Sequence, residues 1–348
     1  MKKKHLNRQQ LWRIQKIQED YAARAAKKNA ASVDDDTLPE HLGPEEKGLV
    51  ISHFGQQLDI EALEGEHRGD LFRCHQRSNL EPLVAGDHVI WQEGKPTGIV
   101  VANLARSSQL LRPNKFGELK PVAANIDQIV IVVAPSPQPF ANLIDRYLVA
   151  AVNSGLSPLI VMNKADLIDS QNQDELETLL RQYQTIAYET LLVSKKTMLG
   201  IAALKEKLAG KTSIFVGQSG VGKSALINAL LPGVNTQEGG LSEGRNKGRH
   251  TTTSARLFHF PDGGDLIDSP GIREFGMWHM SPEEVFQGFV EFQPFAQRCK
   301  FRDCKHQQEP GCALIDAVTR GAIQAERIQS YQHILQSLDD SPTFNAPN

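Results

Sequence analysis

The sequence of 348 residues predicts an α/β protein of three folded parts: a small β-barrel, a parallel sheet covered by helices, and a helical C-terminal part. Three changes of pattern lead to this prediction. Short alternating segments run from Gly48 to about Leu111, buried strands alternate with helices after Pro121, and helical patterns follow Ser281. A chain of this length also exceeds what one core comfortably supports. We expect an arm over residues 1–45, then domains over 46–113, 114–280 and 281–348.

The composition indicates a soluble globular protein. Hydrophobic residues make up 40% and charged residues 23%, which is ordinary for that class, and no apolar run approaches the roughly 18 residues of a membrane span. The basic start lacks the apolar stretch of a secretory signal. We therefore expect a cytoplasmic protein without membrane contact, and a monomer by default.

The arm carries a strong positive charge. Positions 1–31 hold nine lysines and arginines against Glu19 and Asp20. A basic arm is typical of a nucleic-acid contact, and a solvated, disordered terminus without a partner is the alternative.

Five short segments of alternating pattern predict the barrel: LVISHFG, QLDIEAL, DLFRCHQR, DHVIWQEG and TGIVVANLA. This number of strands in some 65 residues favours an OB-fold, which usually binds oligonucleotides, although an SH3-like barrel gives nearly the same pattern. Apolar members such as Val89, Ile90, Ile99 and Val101 need only be core.

A phosphate-binding loop follows the predicted strand TSIFV. Residues 217–224 fit G-x-x-x-x-G-K-[ST], and the helix-forming segment ALINALL comes next. Backbone N–H groups would wrap the phosphates, Lys223 would reach the β and γ phosphates, and Ser224 would bind magnesium. A glycine-rich turn with a chance lysine is the alternative, which the strand and helix on either side disfavour. The predicted contacts are Gly217, Gln218, Ser219, Gly220, Val221, Gly222, Lys223, Ser224 and Ala225.

The tetrapeptide from Asp268 to Gly271 follows the strand pair RLFHF and DLIDS. Asp268 would hold magnesium through water, and the N–H of Gly271 would sense the γ-phosphate. The pattern D-x-P-G also forms ordinary turns, but its position downstream of a phosphate loop favours a nucleotide switch.

Asn163, Lys164, Ala165 and Asp166 end a predicted strand, where α/β sheets place ligand contacts. The Asp166 carboxylate can accept hydrogen bonds from the N1–H and 2-amino groups of guanine, which adenine lacks there. Ser194 and Lys195 would form a second base-contacting loop.

These base-reading elements precede the phosphate loop, which is the reverse of the common GTPase order and indicates a circular permutation. Since Asp268 then leads directly into the C-terminal part, we expect nucleotide state to be coupled to residues 281–348, a hypothesis from connectivity alone.

The first switch should lie in the glycine-rich, basic segment 239–253. Gly271 is followed by Ile272 in place of the glutamine that orients water in Ras-like enzymes. We expect Thr252 to bind magnesium, with Thr251 and Thr253 as alternatives, and His250 to position water, so that His250, Thr252 and Lys223 form the catalytic set. A mobile loop whose histidine has no chemical role is the alternative.

Cys299, Cys304, His306 and Cys312 lie within 14 residues and predict a closed, structural zinc site. Free cysteines are the alternative, and the spacing differs from that of common zinc fingers. Interleaved cations suit an RNA backbone: Lys300, Arg302 and Lys305. Cys74 stands alone and fits a barrel-core or surface thiol.

With these motifs, almost the whole chain resembles the RsgA family of circularly permuted GTPases, which joins an OB-fold, a permuted GTPase domain and a zinc-bearing helical domain in this order. The resemblance implies a ribosome-biogenesis factor that binds the nearly mature small subunit and its rRNA, with a GTPase stimulated by that particle. It also implies that Cys299, Cys304, His306 and Cys312 are the zinc ligands. Two other functions stay open: an RNA-binding placeholder in which hydrolysis is incidental, and a regulatory GTPase with a protein partner.

Overall fold

A computed structural model describes residues 42–55, 57–113, 118–231, 255–268 and 280–339 of the chain. It divides into two compact units. The first holds residues up to 107 together with 123–125 and 254–257, and the second holds 108–122, 126–253 and 258 onward. None of the helices in the described ranges is long and apolar enough to cross a membrane. The predicted arm lies almost wholly outside these ranges.

The first unit is a closed barrel of five strands. They are β1 (Leu42–Phe54), β2 (Gln57–Ala62), β3 (Leu71–Gln76), β4 (His88–Gly94) and β5 (Gly98–Asn103). The strand order is β1-β2-β3-β5-β4, and pairing of β1 with β4 closes the barrel. All pairs are antiparallel except β3 with β5. A five-stranded Greek-key barrel of this kind confirms the OB-fold and decides against the SH3-like alternative.

The barrel core follows from the alternation of its strands. In β2, Leu58, Ile60 and Ala62 are buried while the residues between them are half-buried. Trp91 and Cys74 complete this core, so the lone thiol is a core residue, and burial raises its pKa to about 12. Strand β1 begins at Leu42, earlier than the expected domain limit, because this segment pairs with β4, far along the chain.

The second unit contains a five-stranded parallel sheet. After the two-stranded sheet of β6 (Gln109–Pro113) and β7 (Leu119–Ala124) come β8 (Gln128–Val133), β9 (Ser157–Met162), β10 (Glu189–Leu192), β11 (Thr212–Val216), β12 (Arg256–His259) and β13 (Asp265–Asp268). The last two residues of β7 and the first two of β12 belong to the first unit. The parallel order is β10-β9-β8-β11-β13. Every residue of the central strand β8 is buried, as expected for a strand covered on both faces. The alternation of strands and helices predicted after Pro121 is therefore confirmed.

Within the described ranges, four α-helices belong to the sheet and three follow it. The first four are α1 (Ala141–Asn153), α2 (Gln173–Gln184), α3 (Ile201–Leu208) and α4 (Lys223–Leu230). The C-terminal helices are α5 (Pro282–Gly288), α6 (Ala313–Thr319) and α7 (Ala325–Asp339), with a 3-10 turn over Val290–Phe295. Helix α5 begins at a capping box, since Ser281 and Glu284 exchange side-chain to backbone hydrogen bonds of 3.2 and 2.8 Å.

Candidate functional site

The predicted phosphate loop joins β11 to α4 at the carboxyl end of the sheet. Gly217 has a φ of +137°, and a Cβ there would collide with the carbonyl oxygen of Val132 in β8. Only glycine allows this strand to turn so close to its neighbour. The N-cap residue of α4 is Gly222, which supplies no side-chain cap, and the N-terminus of a helix is a favourable place for an anion.

Lys223 lies over this loop. Its Nζ donates to the carbonyl oxygens of Gly217 and Gln218, at 2.6 Å each. The ammonium group is therefore held where the motif requires a phosphate contact. Ser224 and Ala225 follow in the first turn of α4, on the same side of the sheet.

The predicted base-reading segment follows β9 and is bonded directly to the phosphate loop. The Asn163 side chain is nearly fully buried and donates from Nδ2 to the carbonyl oxygen of Val221 at 2.9 Å. Lys164 adopts a left-handed conformation, and its Nζ donates to the carbonyl oxygens of Ser136 and Gly220 at 2.9 and 2.6 Å. Two motifs more than 50 residues apart in the chain thus form one cleft.

Asp166 faces the second predicted base loop. Ser194 Oγ donates to its Oδ1 at 2.6 Å, and Lys196 Nζ lies 3.7 Å from Oδ2. The hydrogen bond from Ser194, followed by one from the backbone of Asp166 itself and by the charge of Lys196, lowers the pKa of Asp166. The side chain therefore remains a carboxylate at neutral pH. The hydrogen bond between Ser194 and Asp166 brings the two predicted base loops together, and sequence reasoning did not find the contact of Lys196 with Asp166.

The magnesium and switch residues are described only in part. Asp268 ends β13, which pairs with β11, so it reaches the same edge of the sheet as the phosphate loop. Gly271, His250 and Thr252 lie outside the described residues, and so do the alternatives Thr251 and Thr253. Their predicted roles remain predictions.

The four predicted metal ligands come together in the C-terminal part. His306 Nδ1 lies 3.5 Å from Cys299 Sγ and 3.4 Å from Cys312 Sγ, and the donor atoms of all four, Cys304 included, lie within 4.8 Å of one another. In a tetrahedral zinc site with Zn–S bonds of about 2.3 Å, sulfur atoms are roughly 3.8 Å apart. Three sulfurs and one imidazole nitrogen at these separations fit a structural zinc ion.

The environment of the ligands supports the same conclusion. Burial lowers the pKa of His306, which keeps the imidazole neutral as a metal ligand must be. The amide of Ala313 donates to Cys299 Sγ at 3.3 Å, and Gln332 Nε2 donates to the His306 carbonyl at 2.7 Å. The His306 ring also stacks on Phe286, with centroids 5.5 Å apart. These contacts orient the ligands.

Glu309 organises the ligand loop and was missed by the sequence analysis. Its carboxylate accepts hydrogen bonds from the backbone N–H groups of Lys305, Gln307 and Gln308 at 2.9 to 3.1 Å. Its pKa falls to about 2 because the backbone of Glu309 itself and these three N–H groups stabilise the charged form. The three interleaved cations, Lys300, Arg302 and Lys305, are all exposed around this loop.

The sheet, the phosphate loop and a partly buried aspartate paired with a buried serine at the base position define a GTP-binding protein. Its base-reading elements precede the phosphate loop in the chain, so it is a circularly permuted member of that class.

Comparison with known proteins identifies the family. The RsgA GTPase family model matches residues 103–278, half of the chain. A protein from Ectopseudomonas mendocina named small ribosomal subunit biogenesis GTPase RsgA is 59% identical over 98% of this chain and 99% of its own length. A protein of the same name from Azotobacter vinelandii is 54% identical over the same shares. This chain belongs to the RsgA GTPase family.

Two solved structures agree with this assignment. YjeQ from Thermotoga maritima superposes with a TM-score of 0.71 at 31% identity, over 85% of this chain and 99% of YjeQ. YloQ, described as a circularly permuted GTPase, gives a TM-score of 0.68 at 27% identity, over 90% of this chain and 100% of YloQ. The permuted order inferred from the sequence is thereby confirmed.

Proposed function

We propose that this GTPase hydrolyses GTP to GDP and phosphate when it binds the small (30S) ribosomal subunit, and that it acts in late maturation of that particle through contact with its rRNA. The observation that supports the nucleotide is the cleft in which Asn163 and Lys164 are hydrogen-bonded to the phosphate loop and Asp166 is held by Ser194. The particle is suggested by the names of the relatives, which are small ribosomal subunit biogenesis GTPases.

Asp166 selects the base in this proposal. Its carboxylate accepts from the N1–H and 2-amino groups of guanine, while the aliphatic part of Lys164 and the Asn163 side chain support the ring. The Asp166 side chain is only 14% exposed. Adenine offers no donors at these positions, so bound ATP would leave a partly buried charge without its partners, which is costly. Ser194 and Lys195 complete the base-binding loop.

The phosphates lie against the loop of residues 217–222 and the N-terminus of α4. Lys223 and the backbone N–H groups contact the β and γ phosphates, and Ser224, Asp268 and Thr252 hold magnesium. A bound Mg²⁺ neutralises charge on the β and γ oxygens during transfer. Lys223 must exchange its present carbonyl partners for phosphate oxygens when the nucleotide enters.

His250 positions the attacking water in this proposal, because Ile272 cannot. Replacing His250 by alanine is expected to abolish particle-stimulated hydrolysis while the affinity for GTP stays the same. Hydrolysis at the wild-type rate in this variant would remove His250 from the mechanism.

RNA contacts come from the barrel, the basic arm and the exposed cations of the metal loop. Binding through phosphates releases counterions, so it falls steeply as salt rises. The protein is proposed to act as a monomer in the cytoplasm, where its cysteines, all free of disulfides in the described residues, stay reduced.

The test is GTP hydrolysis by the purified protein alone, with small subunits and with large subunits, each at low and raised salt. Stimulation by small subunits only, lost as salt rises, supports the proposal. An unchanged rate with every particle rejects the ribosomal part of it and leaves the nucleotide site in place. If a Ser224→Ala variant binds nucleotide poorly but functions as well as the wild type, the alternative of an RNA-binding placeholder with incidental hydrolysis is favoured.

A further inference from the structure

Helix α1 lies between the parallel sheet and the C-terminal helices, and the face that it turns to the C-terminal helices is mostly polar. In an α-helix, a residue and those three, four, seven and eleven positions after it lie on the same face. Its members are Asn142, Asp145, Arg146, Val149 and Asn153.

Two of these residues form hydrogen bonds with serine side chains of helix α7. Asn142 Nδ2 lies 3.3 Å from Ser330 Oγ, and Arg146 Nη2 donates to Ser337 Oγ at 2.7 Å. Arg146 Nε also donates to Asn142 Oδ1 at 3.1 Å, so the two side chains hold each other in place. This attachment relies on directed hydrogen bonds, which specify one position of α7 along α1.

The far end of the face binds helix α5. Asn153 Nδ2 donates to the carbonyl oxygen of Glu284 at 2.9 Å. Val149 is the one apolar member and packs into the core of the C-terminal part. Gly288 approaches it so closely that a Cβ there would lie 2.6 Å from Val149 Cγ1. The two helices are therefore in backbone contact at this point.

The centre of the face is a buried ionic cluster. Asp145 is 0% and Arg327 of α7 is 1% exposed, and the Arg327 Nη1 group pairs with Asp145 Oδ1. Arg327 Nε donates to Glu291 Oε1 at 2.6 Å, and Tyr183 OH of α2 donates to Asp145 Oδ1 at 2.9 Å. The guanidinium also lies 4.4 Å from the ring centroid of Phe289. One cation thus links α1, the 3-10 turn and α7.

Such a cluster depends strongly on geometry. Charges are costly to bury, and only well-aligned partners compensate that cost. Two carboxylates share one guanidinium, and within the described residues Arg327 Nη2 and Glu291 Oε2 have no hydrogen-bond partner. A small shift of α7 would leave the Asp145 charge uncompensated, so α1 and α7 should move together or separate completely.

The other end of α1 connects to the nucleotide cleft. The chain enters α1 from the carboxyl end of β8, through a loop that contains Ser136. The carbonyl oxygen of Ser136 accepts a hydrogen bond from Lys164 Nζ, which also binds Gly220 of the phosphate loop. The Lys164 ammonium group therefore links the loop before α1 to the base-reading segment and to the phosphate loop.

We propose that Arg327 is a positioning residue for nucleotide binding. By holding Asp145 it fixes helix α1, and the loop at Ser136 carries that position to Lys164 and the phosphate loop. The inference rests on the proposed function, because it takes Lys164 and Gly220 as part of the nucleotide site. By thermodynamic linkage the effect is reciprocal. If bound nucleotide makes displacement of the C-terminal helices less favourable by some factor, a partner that displaces those helices lowers nucleotide affinity by the same factor.

A double-mutant cycle tests this connection. The dissociation constant of a fluorescent GDP analogue is measured for the full-length wild type, Arg327→Met, Lys164→Met and the double variant. Arg327→Met is expected to weaken binding about fivefold or more, the lower end of typical coupling between sites. The effect of Arg327→Met passes through Lys164. The double variant should therefore bind GDP about as weakly as Lys164→Met alone, and its loss of affinity should be smaller than the product of the two single losses.

Two further variants exclude a general loss of structure. Gln324 Nε2 donates to Thr185 Oγ1 at 2.9 Å, so Gln324→Ala removes another link between the C-terminal part and the sheet domain without touching α1, and it should leave affinity unchanged. Arg327→Lys keeps the charge but cannot serve both carboxylates in the same way, and should give an intermediate loss. It replaces Arg327→Met in the cycle if the methionine variant fails to fold, as judged by thermal unfolding and zinc content.

The outcomes separate the two hypotheses. If Lys164→Met binds GDP as tightly as the wild type, the proposed nucleotide site is wrong. If Lys164→Met weakens binding but the losses at positions 164 and 327 multiply, the site stands and the connection through α1 is refuted. An unchanged affinity in folded Arg327→Lys and Arg327→Met also refutes it.

Discussion

Replacing Gly222 by alanine should lower the free energy of unfolding through two separate costs at the nucleotide cleft. Gly222 has a φ of +91°, a left-handed conformation that costs an L-residue about 1–2 kcal/mol. The new Cβ would lie 2.6 Å from Asn163 Nδ2, which now donates to the carbonyl oxygen of Val221. Displacing this buried amide from its partner costs about 1–3 kcal/mol more. We therefore expect Gly222→Ala to lower the free energy of unfolding by about 2–5 kcal/mol in total.

Gly263 provides a matched control for this substitution. Its φ is +90°, but a Cβ there would meet no atom within 4 Å. Gly263→Ala should therefore show only the backbone cost of about 1–2 kcal/mol. The assay is urea unfolding of both variants without nucleotide, followed by GDP binding, which only Gly222→Ala should weaken. Equal losses of unfolding free energy in the two variants would refute the close approach of Gly222 and Asn163.

Two further predictions concern the metal loop and the barrel. Cys312→Ser should lose the zinc ion, as measured by metal analysis of the purified protein, whereas Cys74→Ala in the barrel core should keep it, and zinc retained by Cys312→Ser would contradict the ligand assignment. Asp87→Ala should destabilise the barrel by about 3 kcal/mol or more, because the buried Asp87 carboxylate pairs with Arg106 through two 2.7 Å contacts. Glu64→Ala, which removes an exposed pair, should cost under about 1 kcal/mol in the same urea titration, and similar losses in both would contradict the difference in burial.

The nucleotide cleft was largely predictable because its parts are local. The phosphate loop is a continuous segment between a strand and a helix, and the base-reading segment directly follows a buried strand. Parallel strands bring their carboxyl ends to one edge, so the proximity of Asn163 to Val221 follows once the sheet is predicted. The zinc ligands were predictable for a similar reason, since all four lie within one short segment.

Contacts that depend on side chains meeting across the fold could not be predicted. Arg327 lies in a helix of mixed polar sequence, where an arginine normally faces solvent, and only the structure shows it buried against Asp145. Asp87 and Arg106 have the same character: neither pattern nor spacing marks them as a pair. Such residues become visible only when elements distant in the chain are brought together.

The barrel shows the same limit at the level of topology. The alternating segments predicted five strands, but an OB-fold and an SH3-like barrel share that pattern. The decision came from the parallel pairing of β3 with β5, in which Cys74 lies opposite Gly98. A Cβ at Gly98 would lie 2.8 Å from Cys74 Sγ, so glycine is required at this crossing. That requirement cannot be recognised before the register is known.

The permuted order gives the C-terminal helices two separate attachments to the nucleotide site. One is covalent, because residues 269–281 lead from Asp268 to α5. The other is the polar face of α1, which reaches the cleft through Ser136 and Lys164. The covalent attachment follows from the order of motifs alone, and the second is independent of it. Because the two attachments lead to opposite sides of β11, one to β13 and one to β8, our hypothesis predicts that a displacement of the C-terminal helices acts on the phosphate loop from both neighbouring strands.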